Sequence, residues 1–593
     1  MNTTPLTIES LLDAYRAGRT TPTDVIDDVL ARIEAAPDRH VWITRLTREQ
    51  VMSYVAALGS MTGLPLYGVP FAIKDNIDLA GVATTAGCPD FAHVPERSAT
   101  VVQKLLDAGA IPIGKTNLDQ FAAGLNGTRS PYGACHNSFD DAFVSGGSSS
   151  GSAVAVATGC VSFALGTDTA GSGRVPAGFN NIVGMKPSCG LLSTTGVLPA
   201  CRSLDCVSIF AMTAADARRV LDVAEGVDAA DAYSRELQSV PLPQAPRIGV
   251  PRADQREFFG DLDYARLFSL ACERAAAVGG AVIEVDFAPL FETARLLYEG
   301  PWVAERYAAI ESFLLAHPHS LHPVTETIVG SGNQPTAVAA FRAQYRLKEL
   351  QRQAAALWTA VDVLMVPSAG TIYRIDEMLA DPIRLNSNLG IYTNFVNLLD
   401  LAAIAVPAGF RTDGLPFGVT LIAPAGTDRA LLQLGAILHL ASSPTLGTSA
   451  VPVPDSIAPG DDIAAGYIAV ALCGAHMSGL PLNVQLTQRK AHLLRTTRTA
   501  ASYRFFAVPG GPPQRPGLVR VAQGGGAIDV EVWAVPQQHF GSFVAGIPSP
   551  LGIGKIELED GSLCSGFLCE SWAVDDAQEI TALGSWRAFL KLV

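Results

Sequence analysis

Three residues combine types and settings that together support acyl transfer: Lys74, Ser148 and Ser172. Ser148 follows Gly146-Gly147 and Ser172 follows Ala170-Gly171, with the second serine 24 positions after the first. Glycine allows positive φ and close backbone approach, so such turns can aim N–H groups at a ligand. A serine nucleophile needs a base, and no histidine occurs between His136 and His317, which excludes a Ser-His pair built locally. Lys74 fits that need. Free lysine titrates near ~10.4, but burial and neighbouring cations lower the value by several units. A neutral Lys74 would take a proton from Ser148, which in turn takes one from Ser172. A lone lysine or a turn serine is ordinary; the three together in these settings are not.

These residues have to be positioned by regular elements. Lys74 ends the apolar run Tyr67-Gly-Val-Pro-Phe-Ala-Ile-Lys74, which reads as a buried strand. Between the serines, 149–158 reads as a helix and 161–165 as a buried strand. Upstream, 7–17 and 22–36 read as amphipathic helices, with Thr21-Pro22 as N-cap and first helical residue. Residues 97–109 form a further helix closed by glycine, 111–114 a strand, and 121–133 a turn-rich segment. Downstream, 202–240 reads as helix and connector, 247–251 as a strand, 263–360 as a long helical region and 361–367 as a strand. This alternation predicts an α/β fold with a mixed, largely parallel central sheet covered by helices.

At 593 residues the chain is too long for one ordinary core. Charged residues are 17% and hydrophobic ones 48%, which suits a large, well-buried enzyme. The net charge of −14 without a basic run argues against nucleic-acid and anionic-membrane partners. The ten scattered cysteines read as reduced thiols. The N-terminus lacks the basic and apolar parts of a signal peptide, and no apolar run reaches the ~18 residues of a membrane span, so a cytoplasmic location is expected. Residues 446–466, rich in Pro, Ser, Gly and Asp, read as a linker with no packing face. It separates a domain at 1–445 from a small α+β domain at 467–593.

GGSSSGS at 146–152, GTDTAGSGRVPA at 166–177 and VPFAIKD at 69–75 resemble the amidase signature family over about residues 1–445. The resemblance implies a Lys74–Ser148–Ser172 triad and a cis Gly147–Ser148 peptide bond. It also implies an oxyanion hole formed by the backbone N–H groups of Thr169, Ala170, Gly171 and Ser172. Ala170 stands where the family has glycine, and alanine keeps the N–H donor. The loop at 121–133 matches the family's acyl-site loop, which makes Gly124 and Asn126 lining residues. Arg174 and Asp168 are expected to hold the nucleophile turn. No metal or cofactor is called for. The segments 393–397, 405–410 and 414–422 match the family's closing strands.

Within the family, LLYEGPWVAER at 296–306 and VDVLMVPSAGTIY at 361–373 are similar to the members that hydrolyse allophanate, as is CGAHMSGLPLN at 473–483. The implied substrate is a small anionic amide, whose carboxylate Arg306 would grip with Tyr298 beside it. Without that role, both would be ordinary helix residues. The same resemblance gives 467–593 a fold like that of gamma-glutamyl cyclotransferases, acting on the carboxylated product through His476 and His492, the latter on a helix-like segment. It also implies a functional link to a urea carboxylase. A homodimer is the expected assembly. The alternatives are the glutamine amidase subunit of a tRNA amidotransferase and a non-catalytic amidase-fold scaffold.

Overall fold

The structure, a computed structural model, describes residues 6–243, 245–443, 445–454, 467–559 and 561–592. The chain divides into two compact units, Met1–Ile457 and Ala458–Val593.

In the first unit the strands run β1 (Trp42–Arg45), β2 (Pro70–Lys74), β3 (Ile111–Thr116), β4 (Phe163–Asp168), β5 (Val183–Lys186) and β6 (Cys206–Ala211). They continue through β7 (Arg247–Pro251), β8 (Ala281–Val285), β9 (Val363–Pro367), β10 (Leu401–Phe410) and β11 (Pro416–Pro424). Among the described residues they form one sheet in the order β1-β3-β2-β4-β6-β5-β10-β11-β9-β7-β8. The sheet is mixed, as expected, but parallel pairing is confined to its flanks. It joins β2 to β3 and β4 on one side, and β7 to β8 and β9 on the other. The middle strands pair antiparallel.

Every residue of β2, β3, β4, β6 and β9 is buried. That explains why these segments read as continuous runs of apolar and small residues rather than alternating ones. Phe71 and Phe163 are register partners on β2 and β4, with rings stacked 5.1 Å apart. Because β2 and β4 are parallel and Ile73 pairs with Leu165, Lys74 and Thr167 reach the same edge of the sheet. Carboxyl ends of parallel strands are where α/β sheets place their ligands.

Several segments differ from the sequence reading. The region 263–360 is interrupted by β8, a short edge strand that is only partly buried, so its pattern is weak. Residues 202–240 contain β6 ahead of the helix Ala214–Ala224. Residues 393–397 do not form a strand: Phe395–Leu398 is a helical turn, and β10 starts at Leu401. Short buried apolar runs carry no period that separates helix from strand. Residues 446–454 do pack: Leu446 is buried, Thr448 N–H donates to the Ala157 carbonyl, and Asn181 Nδ2 donates to the Gly447 carbonyl. The remainder of the expected linker, 455–466, lies outside the described residues.

In the second unit the strands are β12 (Tyr467–Leu472), β13 (His492–Arg498), β14 (Tyr503–Val508), β15 (Arg515–Arg520) and β16 (Asp529–Pro536). They are followed by β17 (Leu551–Glu557), β18 (Leu563–Cys569) and β19 (Gln578–Glu579). One sheet has the order β13-β16-β12-β18-β17 and a smaller one β15-β14-β19. Val470, Val532, Phe505 and Trp586 belong to their common core. His492 opens strand β13 and is not helical; its side chain lies outside the described residues.

Candidate active site

β2 ends on Lys74, which is fully buried. Its Nζ lies 2.7 Å from Ser148 Oγ and 2.7 Å from Thr167 Oγ1. Ser148 Oγ lies 3.0 Å from Ser172 Oγ. The three expected residues therefore form one hydrogen-bonded chain, with Thr167 as a fourth member. Burial pushes the Lys74 ammonium down to about 7; Asp119, Asp205 and Asp168 partly oppose this, and Arg306 reinforces it. A lysine so placed is substantially neutral at physiological pH.

Ser148 stands two residues before the buried helix Ser150–Ala157, whose mostly small side chains let it lie close against the sheet. The Gly147–Ser148 peptide is cis. No side chain fits at Gly147: a Cβ would come within 2.1 Å of Asp119 Oδ2 and 2.7 Å of the Gly127 nitrogen.

Ser172 sits in the turn that leaves β4. Asp168 holds this turn by accepting Gly171 N–H at 3.0 Å, Gly173 N–H at 2.9 Å, and two Arg174 nitrogens at 2.9 Å each. Burial alone would raise the Asp168 carboxyl, but Arg174 keeps it below the usual carboxylate range. Of the four expected oxyanion donors, Gly171 is therefore committed to Asp168. Thr169, Ala170 and Ser172 have no such acceptor for their N–H groups among the described residues. Thr169 is fixed in turn, its hydroxyl donating to Asp205. Asp205 also accepts the N–H groups of Ala200 and Cys201, and burial raises its carboxyl to about 6.

Facing the nucleophile is the loop after Asp119. The Gly124 carbonyl lies 3.5 Å from Ser172 Oγ. Asp119 accepts the backbone N–H groups of Asn126, Gly127 and Arg129. The Asn126 side chain is engaged within the scaffold: its oxygen accepts from Thr128, and its Nδ2 donates to Asn386 at 2.8 Å. Its expected place as a lining side chain thus becomes a loop-holding one. Arg306 is buried, donates to the Ala122 carbonyl at 3.5 Å and to the Tyr298 hydroxyl at 3.4 Å, and stands 5.3 Å over the Tyr298 ring. Neither of those hydrogen-bond partners is charged.

Thr167, Asp119 and Asp205 escape the sequence reading. Thr167 was the most accessible of them, because parallel pairing of a strand ending at Lys74 with one ending at Asp168 brings it to the lysine. Asp119 and Asp205 sit in loops, where no period marks an inward side chain.

In the second unit, His476 Nε2 lies 3.2 Å from Gln485 Oε1, and its ring packs against Phe543 and Phe567. Burial lowers its pKa. The turn that carries it is held by Glu531, which accepts the Ser478 N–H at 2.7 Å, Trp533 Nε1 at 3.0 Å and Arg587 Nη2 at 2.8 Å.

Residues 24–432 match the family described as Amidase, and residues 468–591 match the one described as allophanate hydrolase C-terminal domain. The chain is 44% identical over 588 residues to urea amidolyase of Saccharomyces cerevisiae, covering 96% of this chain and 32% of that protein. It is 33% identical over 467 residues to a glutamyl-tRNA(Gln) amidotransferase subunit of Deinococcus deserti, covering 73% of this chain and 96% of that one. The solved structure of selenomethionine-substituted allophanate hydrolase from Kluyveromyces lactis matches with a TM-score of 0.82 at 40% identity, over 100% of both chains. The chain spans about a third of the length of the urea amidolyases it matches.

Proposed function

We propose that this chain, which belongs to the amidase family, hydrolyses the terminal amide of allophanate through a covalent acyl-enzyme. Lys74 is the base, Ser148 the relay and Ser172 the nucleophile. As Ser172 Oγ bonds to the amide carbon, its proton passes to Ser148 and the Ser148 proton passes to Lys74 Nζ. The negative oxygen of the tetrahedral intermediate is received by backbone N–H groups of the Thr169–Ser172 turn. Return of the proton to the departing nitrogen breaks the C–N bond and releases ammonia. Water then attacks the acyl carbon by the same relay, leaving an amine that carries two carboxylates.

The observation that carries the substrate assignment is Arg306, a buried guanidinium whose hydrogen-bond partners are a carbonyl and a tyrosine hydroxyl. A buried charge is costly unless paired, and the carboxylate of allophanate supplies the pair. The similarity to urea amidolyase and allophanate hydrolase supports the same substrate. Allophanate is N-carboxylated urea, and the similarity to urea amidolyase supports a functional link to a urea-carboxylating enzyme in the cytoplasm. The C-terminal unit is read as acting on the dicarboxylated product, which loses carbon dioxide once its nitrogen is protonated, with His476 and His492 as the proton-handling groups. His476 is held neutral by burial and must take up a proton before it can donate one.

Ammonia release by the purified chain, compared between allophanate and glutamine, tests this reading. Turnover of allophanate with glutamine inert is expected. Preferential turnover of glutamine would transfer the chain to the amidotransferase role.

A further inference from the structure

The successive carbonyls of Ala122, Ala123 and Gly124 each meet a different polar side chain: Arg306 Nη1 at 3.5 Å, Arg129 Nη1 at 2.6 Å and Ser172 Oγ at 3.5 Å. Arg306 and Ser172 have roles in the reading above, and Arg129 has none. Its side chain is buried, with the residue 1% exposed. Its two hydrogen-bond partners, the carbonyls of Ala123 and Pro382, are neutral and stand at 2.6 Å each. Its Nε is buried and finds no partner among the described residues.

A tie between the 120–126 loop and Pro382 needs only the two Nη groups. It does not account for the idle Nε, and Asp119, the carboxylate that acts on the guanidinium through space, bonds within Arg129 only to the backbone N–H. An unpaired buried donor is costly, and more so on a charged group. The same side chain lines a cavity of about 220 Å³ whose wall includes Tyr298, Asn386 and Ser387. Tyr298 therefore belongs both to this cavity and to the Arg306 contact.

We propose that this cavity is a carboxylate site, with Arg129 as its cation, and that it receives the second carboxylate created by the reaction. The proposal rests on the reading of the chain as an allophanate-hydrolysing amidase. In that reaction a C–N bond to ammonia is exchanged for a C–O bond to the oxygen of water. A monoanion enters and a dianion leaves. Arg306 pairs with the carboxylate present from the start. The new carboxylate arises beside Lys74, which has to be neutral to act as base. A guanidinium in a cavity that shares Tyr298 with the Arg306 contact gives that second charge a place to go. Small carboxylates share this chemistry, so the incoming carboxylate and the newly formed one have to be told apart.

The test uses the full chain carrying Ser172→Ala, so that ligands bind without being consumed. Calorimetry measures malonate, which has a carboxylate at both ends, and malonamate, which has one. Adding Arg129→Gln should weaken malonate roughly tenfold or more while changing malonamate less than about twofold. Equal weakening of both, with KM raised and kcat unchanged when Arg129→Gln is made with Ser172 intact, would assign the site to the incoming carboxylate and overturn its role in product binding. Unchanged binding of both would overturn the site altogether. If Arg129→Gln does not fold, Arg129→Met decides alone, since it keeps most of the apolar stem and loses the charge: selective loss of malonate supports the site, and retention of both ligands removes it. Arg129-dependent malonate binding in a chain that does not turn over allophanate would remove the functional reading and leave the site standing. Turnover of allophanate with Arg129-independent malonate binding would remove the site alone.

Discussion

Thr167 Oγ1 stands 2.7 Å from Lys74 Nζ, the same distance at which Ser148 Oγ stands. The lysine is thus held between two hydroxyls, one on the relay and one on the neighbouring strand. Asn76 Nδ2 donates to the same Thr167 oxygen at 3.4 Å, which fixes the hydroxyl from its other side. Thr167→Val removes the hydroxyl at nearly constant volume. It should lower kcat/KM by about 10- to 100-fold, the worth of a buried hydrogen bond to a group that becomes charged. A loss under about threefold would show that Ser148 orients the lysine unaided.

The pH profile follows from Lys74. Its neutral form is the base, and its ammonium titrates at about 7. The kcat/KM should therefore fall as pH drops through that value and level off above it. The Asp205 carboxylate favours the charged lysine, so Asp205→Asn should move this limb to lower pH. A limb that stays put or moves upward would remove Asp205 from the electrostatics of the base.

Arg306→Ala should damage turnover of allophanate far more than that of malonamide, which is neutral. Losing a buried charge-assisted contact costs at least about 2 kcal/mol, or roughly 30-fold. Parallel kinetics on the two amides check this. Equal losses would make Arg306 a support for the Ala122 carbonyl and the Tyr298 ring alone.

A chain ending at Ile457 retains the first compact unit and all of the triad. It should release the first ammonia from allophanate at the rate of the full chain, while carbon dioxide and the second ammonia lag. Carbon-13 NMR of labelled allophanate should then display the dicarboxylated amine. Immediate carbon dioxide without that intermediate would leave the C-terminal unit without a step in the reaction.

Much of the site was legible because its residues end strongly patterned elements. Lys74 closes a five-residue buried strand, and Ser148 and Ser172 occupy glycine-bearing turns on either side of a helix and a strand. Strand direction was less legible. The antiparallel pairing of β5 with β6 and β10 brings together segments whose burial on both faces leaves no period and no mark of direction. The edge strand β8 was lost between two helices for the opposite reason, since partial burial weakens its apolar pattern. Asn126 is expected to line the site, but its side chain bonds to Thr128 and to Asn386, the latter on a segment 260 residues away that no local pattern reveals. Arg129 is buried in the same loop, and nothing in a lone arginine of the sequence marks it so.

The central claim is that Lys74, Ser148 and Ser172 act as one proton relay. The most direct measurement is ammonia release from allophanate by Ser172→Ala, Lys74→Ala and the double variant, each checked for unchanged thermal unfolding. Residues that work as a unit have strongly non-additive effects. Each single variant should fall to near background, and the double variant should be little worse than Ser172→Ala alone. Losses that multiply, or substantial turnover by Ser172→Ala, would contradict the relay.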